Sequence, residues 1–440
     1  MKIIYTLNNF LPQQVAGTEV YVFTLAKAMQ QKGNNVTVLI PNFGRSVNES
    51  YTYENINVIK FAEPTVLSRA LIAGDVAPVG LLFFTNILKD FNPDIIHFHT
   101  VGGSNGVSLH HLREAKKSSA SILITFHLAG YTCKTNNLLF TNKVPCNGFI
   151  DVMRCTRCVF TDKGITGVKK NILYPVAATA YALQYNARQW NNTIGTAVGY
   201  PYVIKKLKDD LHEMAILADK IIVLTKWYKN VLEINNVAPQ KLEYISQGLG
   251  GKSFPIIIKN NITVLKLVFV GRINESKGLH LLLQAIKEIP EEKIMLDIFG
   301  PVSDEKYADQ WKSFTTAKKN IKWMGVIEPS YMVSTLTNYH LLCLPSVICE
   351  MSPLVIQEAF AAGVPVLASN VYGNAEQITD GENGWLFKFN DVNDLKNKLQ
   401  QLINDPLLIE KASLHIAPVK SFDTVADEHE KLYKEIVEAV

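Results

Sequence analysis

Two glutamates, Glu350 and Glu358, stand in the mostly apolar stretch CEMSPLVIQEAFAAGVP (residues 349–365), which contains no lysine or arginine. A carboxylate at the edge of a core costs free energy unless hydrogen-bond donors surround it. Neutral hydroxyls of a bound ligand are suitable donors, so the pattern indicates a binding site. The plainer alternative is that Glu350 caps a loop and Glu358 lies on a solvated helix face.

A short helix is expected over residues 353–362. Ser352 suits the N-cap, Pro353 the first helical position and Gly363 the residue past the last turn. The unpaired amides of Leu354 and Val355 would attract an anion at the positive end of the helix dipole. Two carboxylates would repel a bare phosphate, so the combination favours a nucleoside diphosphate sugar, which has hydroxyls on both sides of its phosphates.

A second motif, GRINESKGL, follows the apolar segment LKLVFV. Gly271 is expected to make the turn, and Arg272 and Lys277 are placed to meet a diphosphate, the guanidinium as a planar fork and the ammonium as a point charge. The alternative is that both are ordinary solvated cations. Motifs that bind ligands belong at the carboxyl ends of parallel strands, and both motifs follow predicted strands.

The composition sets the scale of the elements that must position these residues. The chain has 440 residues, 48% of them hydrophobic, and a formal net charge of +4. This length predicts two domains, and the charge gives no indication of nucleic-acid binding. The first apolar stretch breaks at Asn8 and Asn9, so it is interpreted as a buried strand and not as a signal peptide, and a cytoplasmic protein is expected.

Membrane-spanning helices are not expected, because no apolar stretch reaches the roughly 18 residues that a span needs. Residues 174–184, YPVAATAYALQ, could rest on a membrane surface. A core helix is the favoured interpretation of this segment.

Short apolar segments alternate with helical patterns, which predicts doubly wound parallel sheets covered on both faces. In the first half the expected strands are 2–7, 36–40, 56–61, 94–99, 122–127, 220–225 and 242–246. In the second half they are 266–271, 293–300, 321–325, 340–344 and 364–369. The fold class is therefore α/β, with two Rossmann-like domains.

The limits of the domains follow from local composition. Residues 250–263 mix glycine, proline and asparagine and are predicted to form the linker. Leu432, Ile436 and Val440 recur every four residues among charges, which indicates an amphipathic C-terminal helix that packs back across the domains. The expected units are residues 1–250, 251–424 and 425–440.

The two charged motifs, extended to CEMSPLVIQEAFAAGVPVLASNVYGNAEQITDGENGWLF, resemble the donor-binding domain of the retaining glycosyltransferases of family 4, the group 1 type with the GT-B fold. The glutamate pair, with seven residues between its members, is the strongest marker. In the first half, AGTEVYVFTLAKAMQQKGNNVTVLIP resembles the family's glycine loop and first helix, and TFHLAG its active-site histidine segment. The resemblance covers most of the chain and implies two domains facing across a cleft.

The resemblance also implies roles for individual residues. Arg272 and Lys277 would neutralise the leaving diphosphate, Glu358 would hold the donor ribose, and Glu350 would contact hydroxyls of the transferred sugar. The residues expected in catalysis are His127, Glu350, Arg272 and Lys277. Those expected to bind the donor are Gly17, Arg272, Lys277, Glu350, Met351, Ser352, Leu354, Val355 and Glu358.

The implied reaction moves a sugar from a nucleotide-diphosphate sugar to a hydroxyl of a glycan or lipid-linked acceptor, with retained configuration, in cell-surface polysaccharide synthesis. No catalytic metal is expected, because arginine, lysine and helix-end amides carry the charge that a cation would. Nucleic acid is not an expected partner, whereas peripheral contact with the inner face of a membrane is compatible with the lipid-linked acceptor.

Two positions depart from the family pattern. The glycine loop usually begins with two glycines, but here Ala16 takes the first place beside Gly17, which narrows the room for a close backbone approach. In the second domain the usual pair of glycines after a strand is Gly300 and Pro301, so one amide donor is lost.

The histidines have different standings. His127, in the segment that resembles the active-site histidine, is predicted to be functional. His99 ends a strand and is equally well explained as a core residue. His110 and His111 are expected on the surface of a helix.

Six cysteines occur, and four of them follow the predicted active-site histidine within one stretch. They are Cys133, Cys146, Cys155 and Cys158. In a cytosolic enzyme such a cluster favours a metal, and a C-x-x-C pair with two upstream thiols predicts structural zinc. The zinc would fix residues 132–164, which carry few apolar side chains; an iron–sulfur cluster and free thiols are the alternatives. Cys343 and Cys349 are expected to be buried bystanders.

Two other classes of protein are weighed. A dinucleotide-binding oxidoreductase would need G-x-G-x-x-G after the first strand and an acidic residue about 20 positions later, and residues 8–17 lack this motif. A catalytically silent, metal-stapled binding protein of the same fold is opposed by the intact charged residues of both motifs.

Overall fold

A computed structural model describes residues 1–65, 67–102, 106–190, 192–250 and 262–438. Two open sheets dominate this part of the chain. Both are built around parallel strands that alternate with helices, as the sequence pattern predicts.

The first half of the described chain contains the following elements. The strands are β1 (Lys2–Thr6), β2 (Asn35–Phe43), β3 (Glu49–Tyr53), β4 (Ile56–Glu63), β5 (Ile95–Phe98), β6 (Ser121–Phe126), β7 (Leu139–Phe140), β8 (Val144–Pro145), β9 (Lys220–Val223) and β10 (Leu242–Tyr244). The α-helices are α1 (Gly17–Gln31), α2 (Arg69–Ile72), α3 (Leu81–Phe91), α4 (Leu109–Ala115), α5 (Val152–Asp162), α6 (Gly167–Ala182), α7 (Thr193–Val198), α8 (Tyr200–Leu217) and α9 (Lys226–Ile234).

The first sheet has eight strands in the order β10-β9-β6-β5-β1-β2-β4-β3, and β3 is antiparallel to β4. Successive residues of a strand face opposite cores: Ile3 is buried in one and Ile4 in the other. Because both faces are covered, these strands carry apolar residues in succession. For this reason all seven strands expected here are found, and no end is shifted by more than three residues.

The second half contains β11 (Leu265–Val270), β12 (Ile294–Phe299), β13 (Ile321–Gly325), β14 (Leu341–Leu344), β15 (Val366–Ser369) and β16 (Gly384–Phe387). Its helices are α10 (Leu279–Ile286), α11 (Glu305–Thr315), α12 (Met332–Leu336), α13 (Leu354–Ala361), α14 (Tyr372–Ala375), α15 (Val392–Asn404), α16 (Leu407–Leu414) and α17 (Phe422–Glu438). The strands form one parallel sheet in the order β13-β12-β11-β14-β15-β16.

Some elements depart from the expectation. The strands β3 and β16 and the hairpin of β7 and β8 are not among the expected strands. β3 is a largely exposed edge strand with the polar sequence ESYTY, and β16 has only four residues, so neither shows a long apolar run. Most of the linker expected at 250–263 lies outside the described residues.

The C-terminal helix α17 packs against the first sheet and α1. Its buried residues are Phe422, Val425, Ala426, His429, Leu432 and Tyr433. Apolar members of this set share a core with Tyr5 of β1. The amphipathic pattern is confirmed at Leu432 and at the partly buried Ile436, whereas Val440 lies outside the described residues.

Helix α6 contradicts the core interpretation of residues 174–184. Within it only Ala177 is buried, and Val168, Ile172 and Val176 are 74%, 60% and 47% exposed. The apolar side chains of α6 pack only on a small cluster around Phe160. In the described part of the chain, no helix combines the length and the apolar character needed to cross a membrane.

Buried histidines join α17 to the first sheet. His97 Nδ1 lies 2.6 Å from the hydroxyl of Tyr433, and its Nε2 lies 2.7 Å from Thr125 Oγ1. His99 Nδ1 lies 3.0 Å from His127 Nε2. A network of neutral rings therefore fills the space between β5, β6 and α17.

His429 completes this cluster from α17. Its Nδ1 lies 2.8 Å from the carbonyl oxygen of Val425. A carbonyl oxygen can only accept, so Nδ1 carries the proton of the neutral ring and Nε2 accepts from the hydroxyl of Tyr21 at 3.3 Å. Burial lowers the pKa of His429 to about 4 and that of His127 to about 3, where the charge of His429 also contributes. Burial lowers the pKa of the other two rings well below 6.5 as well.

This cluster makes folding stability depend on pH. The unfolded chain protonates these rings near pH 6.5 and the folded protein only at much lower pH. The unfolded state therefore binds more protons between these values, and stability falls as the pH falls from 7. We expect the free energy of unfolding, measured in urea, to be lower at pH 5 than at pH 7 by about 2 kcal/mol or more.

His429→Gln should flatten this dependence by up to about 1.4 kcal/mol per pH unit, because one titrating ring is gone. The matched control is His415→Gln, since His415 is exposed. A slope in His429→Gln equal to that of the unchanged protein would contradict the assignment.

Candidate functional site

The turn after β11 lies directly against the loop after β14. Gly278 has a φ of +70°, and a Cβ atom at its position would stand 1.8 Å from the carbonyl oxygen of Pro345. Only glycine fits there. The N–H of Val347 also donates to the carbonyl of Ser276 at 3.0 Å. These contacts hold the two charged motifs side by side.

Glu350 forms an ion pair with a lysine from another part of the chain. Lys277 Nζ lies 2.6 Å from Glu350 Oε1, and the two side chains are only 16% and 11% exposed. The hydroxyl of Ser346 donates to the same oxygen at 2.6 Å, and the N–H of Gly373 donates to the backbone carbonyl of Glu350 at 3.1 Å. The expectation of an uncompensated carboxylate is wrong here, because the partner lies 73 residues away in sequence.

Glu358 differs from Glu350 in having no such partner. It lies in α13, and burial raises its pKa to about 7. Among the described residues no side chain or backbone group forms a hydrogen bond with its carboxyl group. A half-buried acid without donors is the state that the sequence pattern predicts for this position.

The start of α13 is shifted from the expected one. Pro353 is extended, with φ −67° and ψ 117°, so it precedes the helix, which begins at Leu354 without a side-chain cap. The N-cap expected at Ser352 is therefore wrong by one residue. Gly363, with a φ of +71°, follows the helix as expected.

Groups that could bind an anion are present on these loops. Arg272 is exposed, and in the described part of the chain its guanidinium has no hydrogen-bond or ion-pair partner. In the same part, no backbone acceptor uses the N–H groups of Leu354 and Val355, and the first such bond in α13 is from Ile356 to the carbonyl of Pro353 at 3.2 Å. A guanidinium and two amides are thus available to a ligand.

Loops of the two domains contact each other beside this region. Glu376 accepts from the N–H groups of Lys226 and Trp227, at 2.7 and 2.8 Å, and so caps α9. Trp227 stacks on Tyr372 at 5.1 Å between ring centroids and donates from Nε1 to the carbonyl of Met351 at 3.2 Å. Sequence reasoning missed Trp227 and Glu376, because only the docking of the domains pairs them.

Cys349 also crosses between the domains. It is buried, as expected, but it is more than a bystander. Its N–H donates to the carbonyl of Asn137 at 3.0 Å, and its thiol donates to the carbonyl of Leu138 at 3.3 Å. The residue directly before Glu350 is therefore fixed by the cysteine-rich segment of the first domain.

Gly17 and His127 lie at the carboxyl edge of the first sheet. Gly17 begins α1, and a Cβ atom there would meet no heavy atom within 4 Å, so the space beside it is open. Glu19, in the same helical turn, was not among the expected site residues. Its position just after the glycine loop is the sequence feature that could have identified it. It is 6% exposed, burial raises its pKa, and it accepts from Gln14 Nε2 at 2.8 Å.

The predicted site residues of the second domain lie closer together than they lie to the predicted site residues of the first domain. Lys277 and Glu350 are in direct contact. Within the described residues, no hydrogen bond or ion pair joins Gly17 or His127 to the loop of Glu350.

The expectation that His111 lies on the surface is wrong. It is 1% exposed, and its Nδ1 accepts from the N–H of Ser108 at 3.0 Å, which fixes the ring inward.

The cysteine-rich segment 132–164 folds on apolar residues of its own. Residues of this segment that are buried in the core of the first domain are Leu138, Leu139, Ile150 and Val159. Helix α5 is capped by Asp151, whose side chain accepts from the N–H of Arg154 at 2.6 Å. The expectation that this segment has too few apolar residues to fix itself is therefore wrong.

The four cysteines of this segment do not form a metal-binding group. Among the described residues, no three or more His, Cys, Asp or Glu side chains are placed to hold a metal ion. Cys158 accepts instead from the N–H of Thr141 at 3.2 Å, and burial raises the pKa of Cys155 to about 12. The geometry lends structural zinc no support, and zinc stays a prediction from the sequence.

Two Rossmann-like α/β domains whose loops contact each other, with cations, free amides and carboxylates on those loops, have the arrangement of a two-domain transferase. The sequence profile of the glycosyl transferases group 1 matches residues 256–415, and that of glycosyltransferase family 4 matches residues 15–144. The chain belongs to this family of glycosyltransferases. The resemblance inferred from the two motifs is confirmed, and the oxidoreductase alternative is set aside.

Similar proteins align over parts of the chain. An uncharacterized glycosyltransferase of Methanocaldococcus jannaschii is 30% identical over 190 residues, which cover 43% of this chain and 50% of that protein. The phosphatidyl-myo-inositol mannosyltransferase of Mycobacterium leprae is 28% identical over 148 residues, 33% and 39% of the two chains. The capsular polysaccharide biosynthesis glycosyltransferase CapM of Staphylococcus aureus is 24% identical, over 49% and 60%. The chain thus spans less than two thirds of each relative.

Solved structures share the whole fold at low sequence identity. Sucrose-phosphate synthase from Thermosynechococcus elongatus superposes with a TM-score of 0.65 at 16% identity, covering 100% of both chains. Anabaena HepE, in complex with UDP-glucose, has a TM-score of 0.59 at 13% identity, again over 100% of both. These similarities confirm the GT-B fold.

Metal analysis of the purified protein tests the zinc prediction. The sequence predicts close to one equivalent per chain, because a site of four thiolates should fill nearly fully. Cys158→Ser should lower the zinc content below about half an equivalent. Cys343→Ser should not, because Cys343 is buried in the second sheet and lies outside the segment. A zinc and iron content of the unchanged protein below about half an equivalent would contradict a metal site.

Proposed function

We propose that this protein is a retaining glycosyltransferase that moves a sugar from a nucleoside diphosphate sugar to a hydroxyl of a glycan or lipid-linked acceptor in cell-surface polysaccharide synthesis. The observation that carries the proposal is the meeting of the two charged loops, where Lys277 Nζ and Glu350 Oε1 are 2.6 Å apart. Membership of the family supports it, as does the capsular relative. Structures of the similarly folded HepE with UDP-glucose and with UDP support a nucleotide-sugar donor.

The cations are proposed to meet the diphosphate. An ammonium has three N–H donors, and Lys277 uses one of them on Glu350. Because this ion pair has no net charge, the guanidinium of Arg272 supplies most of the positive charge that opposes the charge developing on the leaving group. The free amides of Leu354 and Val355 add partial positive charge. These groups take the part that a metal ion has in other transferases, and no catalytic metal is included in the proposal.

The carboxylates are proposed to bind hydroxyls. Glu350 is held by Lys277 and Ser346 through Oε1, so Oε2 is available to a hydroxyl of the transferred sugar. Glu358, with a pKa of about 7, is half protonated at neutral pH before the donor binds. The hydroxyls of a ribose would supply the hydrogen bonds that favour its ionised form.

His127 is proposed to orient the transferred sugar as an uncharged ring. With a pKa of about 3 it does not carry a proton to the reaction at neutral pH. Its Nε2 is paired with His99, and in the described part of the chain its Nδ1 has no partner, so this atom can bind a sugar hydroxyl. Departure of the nucleoside diphosphate and attack of the acceptor hydroxyl on the same face retain the configuration.

A cytoplasmic location, with contact at the inner face of a membrane when the acceptor is lipid-linked, belongs to the same proposal. The exposed apolar residues of α6 give this contact a candidate surface.

The experiment starts from a thermal-shift panel of UDP-, GDP- and ADP-sugars, because a donor bound only by the native state raises the melting temperature. The donor that gives the largest shift is then used to measure donor hydrolysis and transfer. Arg272→Ala should lower kcat by at least about 100-fold, because it removes the main charge opposite the leaving group.

The control is Lys319→Ala, an exposed cation of the same domain, which should keep kcat within about twofold. No shift with any nucleotide sugar would contradict the proposal. A shift without turnover above background would instead indicate a catalytically silent binding protein. Turnover that is equal in Arg272→Ala would contradict the role proposed for Arg272.

A further inference from the structure

A cavity of about 610 Å³ lies in the first domain at the carboxyl edge of its sheet. Part of its wall follows three neighbouring strands, with Asn8 after β1, Thr100 after β5 and Leu128 after β6. Helices α2, α4 and α8 complete it. Its volume is in the range of small-ligand sites, roughly 300–1,000 Å³. Among the described lining residues none belongs to the donor-side loops, so the cavity is free for a second substrate.

Cations from four different segments line this cavity. They are Arg69 of α2, Lys134 after β6, Arg188 between α6 and α7, and Lys206 of α8. Asp210 is the one acid among the described lining residues, and it pairs with Lys206 at 2.9 Å. Arg188 pairs with Asp75 at 3.0 Å. Lys134 has no hydrogen-bond or ion-pair partner in the described part of the chain, so the lining keeps a surplus of positive charge.

The cations of the lining suit a phosphate group. Ammonium and guanidinium groups form strong, charge-assisted hydrogen bonds to phosphate oxygens. A phosphate in the cavity could therefore accept from Lys134 and from other cations of the lining.

The cavity has an apolar border. Ile72 and Leu128 line it and are 55% and 59% exposed. Trp190 and Ile194 precede Thr196 of the lining in sequence and are 45% and 59% exposed. Large apolar side chains exposed beside these cations offer a contact for an apolar group of the same ligand.

We propose that this cavity binds an acceptor in which a hydroxyl-bearing group is joined through a phosphate to an apolar chain, with the phosphate among the cations and the chain along Ile72 and Leu128. The assignment rests on the proposed function, since it names the acceptor class of that reaction. An uncharged glycan would leave the ammonium of Lys134 without a counter-ion in the described part of the chain. An anion without a chain would leave the apolar border in water. The position at the carboxyl edge of β6, directly after His127, suits an acceptor that must reach the transferred sugar.

Three probes separate the parts of this ligand, each titrated by calorimetry below its micelle concentration in about 0.1 M salt. Octyl phosphate carries both parts, inorganic phosphate only the anion, and octyl β-glucoside only the chain on an uncharged head. We expect octyl phosphate to bind most tightly, by about tenfold or more over either of the other two.

The variants distinguish the cavity from other anion sites. Lys134→Gln and Lys206→Gln should each weaken octyl phosphate by about tenfold, which corresponds to about 1.4 kcal/mol. The matched control is Lys205→Gln, on the same helix and also paired with an aspartate four residues later, Asp209, but outside the cavity lining. It should change the affinity by less than about twofold. An unchanged thermal shift with the nucleotide sugar confirms that a variant is folded.

Octyl phosphate that binds equally well to both cavity variants would overturn the proposal. So would octyl β-glucoside or inorganic phosphate binding as tightly as octyl phosphate. These titrations contain no nucleotide, and the donor titration contains no alkyl phosphate. A failure of the acceptor assignment is therefore distinguishable from a failure of the proposed transferase function.

Discussion

The ion pair of Lys277 and Glu350 is the interaction on which the site depends. It joins the turn after β11 to the loop after β14, and the N–H of Gly373 joins that loop to the segment after β15. Three neighbouring strand ends are thus joined at one residue, Glu350, through its carboxylate and its backbone carbonyl. Removing either partner would leave a largely buried charge without compensation, which is strongly destabilising. The pair therefore fixes the loop geometry as well as the charge of the site.

The loop of Glu350 is also held from the opposite domain. Cys349 bonds to the cysteine-rich segment, and Met351 accepts from Trp227. A movement of the first domain would therefore shift the backbone on both sides of Glu350. The cavity proposed for the acceptor in the first domain is therefore mechanically connected, through these two residues, to the loops proposed for the donor in the second.

The local sequence pattern predicted most of the strands, because strands buried on both faces have runs of apolar residues and glycines often follow them. It also located both charged motifs. It could not supply the partner of Glu350, because that pairing requires two strands to be neighbours in a sheet. The error at α6 has a related cause: composition reports how apolar a helix is, but only the tertiary arrangement decides whether a surface covers it. Trp227 and Glu376 depend in the same way on domain docking.

The central claim is that the acids of this site bind donor hydroxyls while its cations meet phosphate, and Glu358 reports on it most directly. Its pKa is about 7 without ligand, and ribose hydroxyls would favour the ionised form, so the affinity for a nucleotide sugar should rise about tenfold from pH 6 to pH 8. Calorimetric titration at both pH values should show this rise in the unchanged protein and none in Glu358→Gln. No rise, or the same rise in Glu358→Gln, would contradict the account.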